Sequence, residues 1–148
     1  MYQDSNLQFS AAQAITATAA STNYLDLQAA IRDMGKGERL QFDIRVNTAF
    51  TAAGAATLQV QLQTADDTAF STNLNILGQT DVIPKATLVV GCSIPMVIDR
   101  AEPFVGRRYM RLNYVVATGP MTAGSRTAGM VKDIQDPQVS PPSGFAVL

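Results

Sequence analysis

The chain has 148 residues, 47% of them hydrophobic and 16% charged, with a formal net charge of −1. That length suits one domain with a core that needs no covalent staple, and the near-zero charge argues against long-range attraction to nucleic acid or to an anionic membrane. A single cysteine, Cys92, excludes an internal disulfide, and the absence of histidine removes the commonest general base and the commonest zinc ligand.

The charged share lies below the roughly 25% of ordinary domains. A surface so poor in charge suits a protein much of whose outside is covered by a partner. The few charges are unevenly spread. Residues 1–84 hold four basic against eight acidic side chains, and residues 85–148 hold seven against four. The resulting weak dipole can orient docking or self-association. The first residues, Met1-Tyr2-Gln3-Asp4, carry no basic and apolar leader pattern. No run approaches the length of about 18 apolar residues needed to span a bilayer. The expectation is synthesis in a cytoplasm.

In chain order, Ser10–Ala20 reads as extended, because its threonines and Ile15 outweigh the helix preference of its alanines. Tyr24–Leu27 is a second short strand. Ala29–Met34 is expected to make one helical turn before Gly35-Lys36-Gly37 bends the chain. Strict alternation follows: Leu40, Phe42, Ile44 and Val46 on one face, Gln41, Asp43, Arg45 and Asn47 on the other. Ala52–Ala56 leads to another alternating run, with Leu58, Val60 and Leu62 opposed to Gln59, Gln61 and Gln63. These two strands are expected to be neighbours, as a hairpin with a loose loop.

Beyond the Ala65-Asp66-Asp67-Thr68 turn, Asn73–Leu77 is a weak strand. Lys85–Asp99 reads as one long strand, with Leu88, Val90, Cys92, Ile94, Met96 and Ile98 on one parity. Pro95 lacks an N–H, so this strand is expected to be bulged, bent or at a sheet edge, and it can switch sheets. Arg107–Val116 alternates Met110, Leu112, Tyr114 and Val116 against Arg107, Tyr109, Arg111 and Asn113. Thr127–Ile134 closes the set. About eight short antiparallel strands with turns between them predict an all-β fold, a β-sandwich or jelly roll. Residues 1–134 form that domain. Residues 135–148, with Pro137, Pro141 and Pro142 before Phe145-Ala146-Val147-Leu148, read as an extended Pro-rich arm.

Few residues suggest chemistry. Cys92 shares the apolar parity of its run and reads as a small core residue. Asp66-Asp67 offers too few oxygens for calcium and reads as Asx-turn chemistry. Asp99, Glu102 and Asp133 are scattered carboxylates; they leave a glycosidase pair open, and the lack of tryptophan counts against a carbohydrate site. Gly35-Lys36-Gly37-Glu38 lacks the spacing of a phosphate loop and reads as a tight turn. Arg100, Arg107, Arg108 and Arg111, interleaved with Tyr109 and Tyr114, form the one basic cluster. Tyr114 has core parity, so Arg107, Tyr109 and Arg111 remain outside and suit a protein-facing patch better than a nucleic-acid one. The reading is a surface-binding β-module, not an enzyme, with no cofactor or metal.

Several segments together resemble the jelly-roll capsid cement (decoration) proteins of tailed bacteriophages, of the Bordetella-phage type. They are FSAAQAITATAAS at Phe9–Ser21, FTAAGAATLQVQLQTADD at Phe50–Asp67, RRYMRLNYVV at Arg107–Val116 and TAGMVKDIQD at Thr127–Asp136. The resemblance implies a jelly roll on the outer surface of a phage head that bridges neighbouring major capsid protein subunits and strengthens the expanded shell. It also implies a homo-oligomer, a dimer ahead of a trimer, and no catalytic residue. The competing reading is a carbohydrate- or receptor-binding β-sandwich module of a phage particle.

The candidate protein contacts are Met1, Tyr2, Leu7 and Phe9 at the start, Arg107, Tyr109 and Arg111 in the basic cluster, and Pro141, Pro142, Phe145, Val147 and Leu148 in the arm. An arm adds contact area beyond a rigid sandwich, and engaging two shell subunits at once raises avidity by roughly 10²–10⁴. Deletion of residues 137–148 is therefore expected to weaken binding to expanded shells or to change oligomer state. Co-sedimentation and sedimentation velocity read these two effects, and a variant unchanged in both removes the arm from the contact.

Overall fold

The computed structural model describes residues 2–28, 39–98 and 107–134. The turn expected at Ala29–Met34, the Gly35–Gly37 bend and the arm from residue 135 lie outside them. Ten strands are seen among the described residues: β1 (Tyr2–Ala14), β2 (Ala19–Ala20), β3 (Leu25–Asp26), β4 (Leu40–Thr51), β5 (Thr57–Ala65), β6 (Asn75–Gln79), β7 (Ile83–Pro84), β8 (Ser93–Ile98), β9 (Tyr109–Ala117) and β10 (Ala123–Lys132). A 3-10 turn at Lys85–Thr87 is the helical piece, and no helix among the described residues is long and apolar enough to cross a membrane.

The strands form two antiparallel sheets. One has the order β1-β10-β4-β8; the other has β2-β9-β5-β6, with β3 also on β9 and β7 also on β5. β2 and β3 share one partner, as do β6 and β7, so each pair occupies one strand position and the ten segments fill eight. First then pairs with last (β1 with β10), second with seventh (β2/β3 with β9), third with sixth (β4 with β8) and fourth with fifth (β5 with β6/β7). This is a long antiparallel hairpin rolled into two sheets, the jelly-roll topology.

Parity decides the interior. Leu40, Phe42, Ile44 and Val46 of β4, Leu58, Val60 and Leu62 of β5, and Met110, Leu112 and Tyr114 of β9 are all buried in one cluster between the sheets. Phe9 meets Phe42 with ring centroids 5.9 Å apart.

Two expectations are corrected. β4 and β5 are not a hairpin: they lie in different sheets, and Ala52–Ala56 carries the chain across the sandwich. Both strands have one buried face, and placing those faces opposite each other buries more apolar surface than edge pairing would. Lys85–Asp99 is also not one strand within its described part. It holds the 3-10 turn and then a turn at Val90–Gly91, with Gly91 at φ +81, before β8 starts at Ser93. Leu88 is buried, but Val90 is 66% exposed, so the parity breaks at that turn. β8 ends its sheet, so of the bulge, bend or edge expected at Pro95 the structure takes the edge. Cys92 is half-buried against the core.

Among the described residues, Ser10, Asp43, Gln63, Thr64 and Arg126 are buried polar or charged side chains, and Arg126 is the cation among them. Arg126 of β10 is fully buried. Its guanidinium carbon lies 4.6 Å from the Tyr114 ring centroid and 5.1 Å from that of Phe50. Among the described residues, its Nε, Nη1 and Nη2 have no hydrogen-bond partner. The Tyr114 hydroxyl is engaged elsewhere, at 2.7 Å from Ser10 Oγ. Gly124 makes room on the other side: its φ is +144, and a Cβ there would lie 2.3 Å from Phe50 Cδ1. Two aromatic faces therefore hold a cation in a site that water cannot reach.

Burial lowers the Arg126 pKa from the ordinary arginine range to about 10. The folded protein thus sheds this proton before the unfolded chain does. The penalty for burying the charge is fully present near neutral pH and is relieved as pH rises through about 10, an effect on the order of 3 kcal/mol. Burial also raises the pKa of the Tyr114 hydroxyl, which favours its neutral form. Arg126→Met keeps the volume and removes the charge. It is expected to raise stability at pH 7 by roughly 1–4 kcal/mol, with the gap to the parent narrowing as pH rises from about 10 toward the ordinary arginine range. Urea unfolding at stepped pH measures this, and a less stable variant contradicts it.

Candidate interaction surface

The outer face of the β2-β9-β5-β6 sheet is built from the residues opposite the core parity. Gln61 Nε2 donates to Gln79 Oε1 (3.1 Å), Gln63 Nε2 to Gln61 Oε1 (3.3 Å), Asn113 Nδ2 to the same Gln61 oxygen (3.5 Å) and Arg111 Nε to Gln63 Oε1 (3.0 Å). Gln59 Nε2 donates to the Thr80 carbonyl (3.0 Å). The register that places Gln61 opposite Asn113 and Gln79, and Gln63 opposite Arg111, makes these bonds possible. The result is an amide ladder running across three strands.

At the start of β9 the ladder meets an aromatic corner. The Arg111 guanidinium lies 4.1 Å from the Phe70 ring centroid. Tyr24 packs edge-on against Phe70 (6.4 Å, 69°) and against Tyr109 (5.8 Å, 78°), yet stays 51% exposed. Arg108 stacks on Tyr109 at 4.9 Å and grips Asp26 with two hydrogen bonds, Nε to Oδ1 (2.9 Å) and Nη2 to Oδ2 (3.0 Å). That grip holds the Asp26 carboxyl below the usual carboxylate range. Arg107 faces Asp66 at 3.7 Å. Partial burial lowers the Arg111 pKa.

The Asp66–Asn73 loop places Phe70 over Arg111. Asp67 Oδ1 accepts from the Thr72 amide (2.8 Å) and the Ser71 amide (3.0 Å), and its Oδ2 accepts from Ser71 Oγ (2.8 Å). Asn73 Nδ2 donates to Asp66 Oδ2 (2.7 Å). This is the expected Asx-turn chemistry. It lets Phe70 and Asn73 take φ of 54° and 51°.

The expected contact residues divide. Arg107, Tyr109 and Arg111 come together at this corner. Leu7 is half-buried against the core and Phe9 is inside it, so the Phe9 ring offers no outer contact; core packing against Phe42 claims it. Met1, the side chain of Tyr2, and Pro141, Pro142, Phe145, Val147 and Leu148 lie outside the described residues. Sequence reasoning missed Tyr24, Phe70 and the Asp26–Arg108 pair as parts of the corner, because each meets its partners across a long sequence separation.

A second surface is the edge where β6 and β8 end their sheets. Among the described residues, six of the seven exposed large hydrophobic side chains fall between Leu74 and Val97: Leu74, Ile76, Val82, Val89, Val90 and Val97. Across that stretch the only charged residues are Asp81 and Lys85. The sheets touch here, since a Cβ on Gly78 would meet the Ile98 side chain at 2.8 Å.

The Asp67 carboxyl is held below the usual range, first by the Thr72 amide. Its bonds are therefore complete above the ordinary carboxylate pKa and lost as pH falls through the lowered value. The Ser71 and Thr72 amide proton shifts are expected to titrate together below the usual aspartate range. Two-dimensional NMR in acid checks this, and Asp67→Ala is expected to abolish the titration.

No curated protein matches the chain. The family model Bbp16 matches residues 9–130, from the core residue Phe9 in β1 to Met130 in β10, and so covers β2 to β9 whole and most of β10 with the second half of β1. The rolled β-sandwich with an amide face and an apolar edge therefore belongs to the Bbp16 family, whose name points to a Bordetella phage protein.

Proposed function

We propose that the protein is a non-catalytic structural component of the virion that binds the outer surface of a phage capsid and cements neighbouring major capsid protein subunits. It acts as a homo-oligomer, a dimer first. The family supports the phage setting, and the observation that carries the docking role is the β6–β8 edge. Soluble proteins ordinarily blunt sheet edges with charge or proline. Here Pro95 blunts β8, but β6 (NILGQ) has neither proline nor charge.

Exposed valine, leucine and isoleucine concentrated along such an edge mark an association surface. A low-charge contact also keeps its affinity when salt varies, because little of it is electrostatic. The aromatic corner with Arg107, Tyr109 and Arg111 lies on the outer face of the other strands and has the residue types enriched at interfaces. A shell contact of about 1,600 Å² total is sufficient for specific binding.

Purified protein is expected to co-sediment with expanded shells that lack it and not with unexpanded precursors. Val90→Asp and Val97→Asp alter exposed positions and are expected to change stability by no more than about 0.5 kcal/mol while weakening shell association at least tenfold. Retained binding by both variants removes the edge from the contact. Equal binding to both shell forms, or to neither, removes the cement role.

A further inference from the structure

The amide ladder has a chemistry that the shell contact does not use. Its members hold one another in place, which pre-organises them, yet the network is not closed. The Gln79 amide N–H₂ group and the Asn113 amide oxygen stand outside it, as does the Gln59 amide oxygen. Gln79 is exposed, and Gln59, Gln61 and Asn113 are half-exposed. The face thus offers fixed donors and fixed acceptors side by side. Groups that both donate and accept, such as hydroxyls, match that array.

The charge pattern narrows the ligand. No carboxylate joins the ladder, so a cation gains little there. Arg107 and Arg108 already face Asp66 and Asp26, so a phosphate or another polyanion finds few free cations. The centre of the face carries amides instead of the apolar cluster found at the middle of protein–protein contacts. At one end stands Tyr24, half exposed and braced edge-on by two rings. Tryptophan is absent from the chain, so this tyrosine supplies the flat apolar surface. Contacts run unbroken from Tyr24 through Phe70 and Arg111 to Gln63, Gln61 and Asn113. From Tyr109 to Asn113 the strip is about 13 Å long.

A sugar ring has the matching parts: an apolar C–H face to lie on an aromatic ring, and a rim of neutral hydroxyls. We propose that the outer face of the β2-β9-β5-β6 sheet, from Tyr24 to Asn113 and Gln79, binds a neutral oligosaccharide chain of the kind displayed on cell surfaces. This site shares β6 with the apolar edge, through Gln79 and through Ile76 opposite Gln63, but it does not use the exposed valines and does not depend on the cementing role.

The test uses the full-length protein on a microarray of neutral and acidic bacterial glycans, followed by calorimetry with the best neutral oligosaccharide. Retention of at least one neutral glycan is expected, with little loss on raising salt. Tyr24→Ala and Asn113→Ala are each expected to weaken it tenfold or more, while Val90→Asp leaves it unchanged. Circular dichroism confirms that each variant is folded, and Asn113→Gln, which keeps the amide, is expected to recover part of the binding. The proposal is overturned if no neutral glycan is retained, if only acidic glycans bind and salt releases them, or if the Tyr24 and Asn113 variants bind as the parent does. It is equally overturned if these variants lose expanded shells while no glycan binds, because the face is then the capsid side. Shell co-sedimentation that survives in the variants keeps the two activities distinct.

Discussion

Two sheets have to close over one interior, and nearly every strand is shaped by that requirement. The strands β4, β5, β8 and β9 each have one buried apolar face, and two such faces exclude water only when set against each other. The chain meets this by changing sheets at Ala52–Ala56. That crossing sets the Leu40–Val46 face of β4 against the Leu58–Leu62 face of β5. Once those faces oppose, the rolled pairing of first strand with last has the same inner and outer sides throughout. The core therefore depends on partners far apart in the chain, such as Phe9 with Phe42 and Ser10 with Tyr114.

Arg126 is the buried cation that departs from this economy. A buried cation without a hydrogen-bonded counter-ion is unfavourable even between two aromatic faces. The local backbone is shaped around it, with Gly124 at positive φ against Phe50. Tyr114 shares the arrangement, because its ring contacts the cation while its hydroxyl turns to Ser10. Core volume at this end of the sandwich is thus filled by an ion and two rings where aliphatic packing would be more stable. Marginal stability is no bar to such a choice when assembly with other chains adds to it.

The outside of the molecule divides into two chemistries for a topological reason. On the outer sheet face, the ladder register places amide opposite amide, and the side chains hold one another in place. Among the described residues both sheets stop at the β6–β8 edge, so its backbone groups lack further strands there and the apolar side chains beside them stay exposed. Parity governs a face, whereas an edge collects whatever the turns deliver. That is why the exposed valines of 82–97 sit in and around turns, at Val82, Val89 and Val90, as well as on β8 at Val97.

Alternation along the chain was sufficient to determine the all-β class and the inner face of β4, β5 and β9; the missing N–H of Pro95 left bulge, bend or edge open, and the carboxylates of Asp66-Asp67 pointed to the Asx turn. These are local properties: side-chain period, a missing N–H and a short carboxylate beside its own backbone. The same parity places Arg126 with Ala128 and Met130, so its burial was legible in principle, although a positive charge pointed outward. Pairing partners were not legible. Two alternating strands five residues apart read equally well as a hairpin or as opposite walls, and only the packed structure decided for opposite walls, because burial is gained between sheets. The Lys85–Asp99 run kept its period through a turn, since period alone does not register where backbone hydrogen bonds stop. The corner of Tyr24, Phe70, Tyr109 and Arg111 was decided wholly by tertiary structure, because a ring finds a guanidinium through the fold of a loop and not through spacing along the chain.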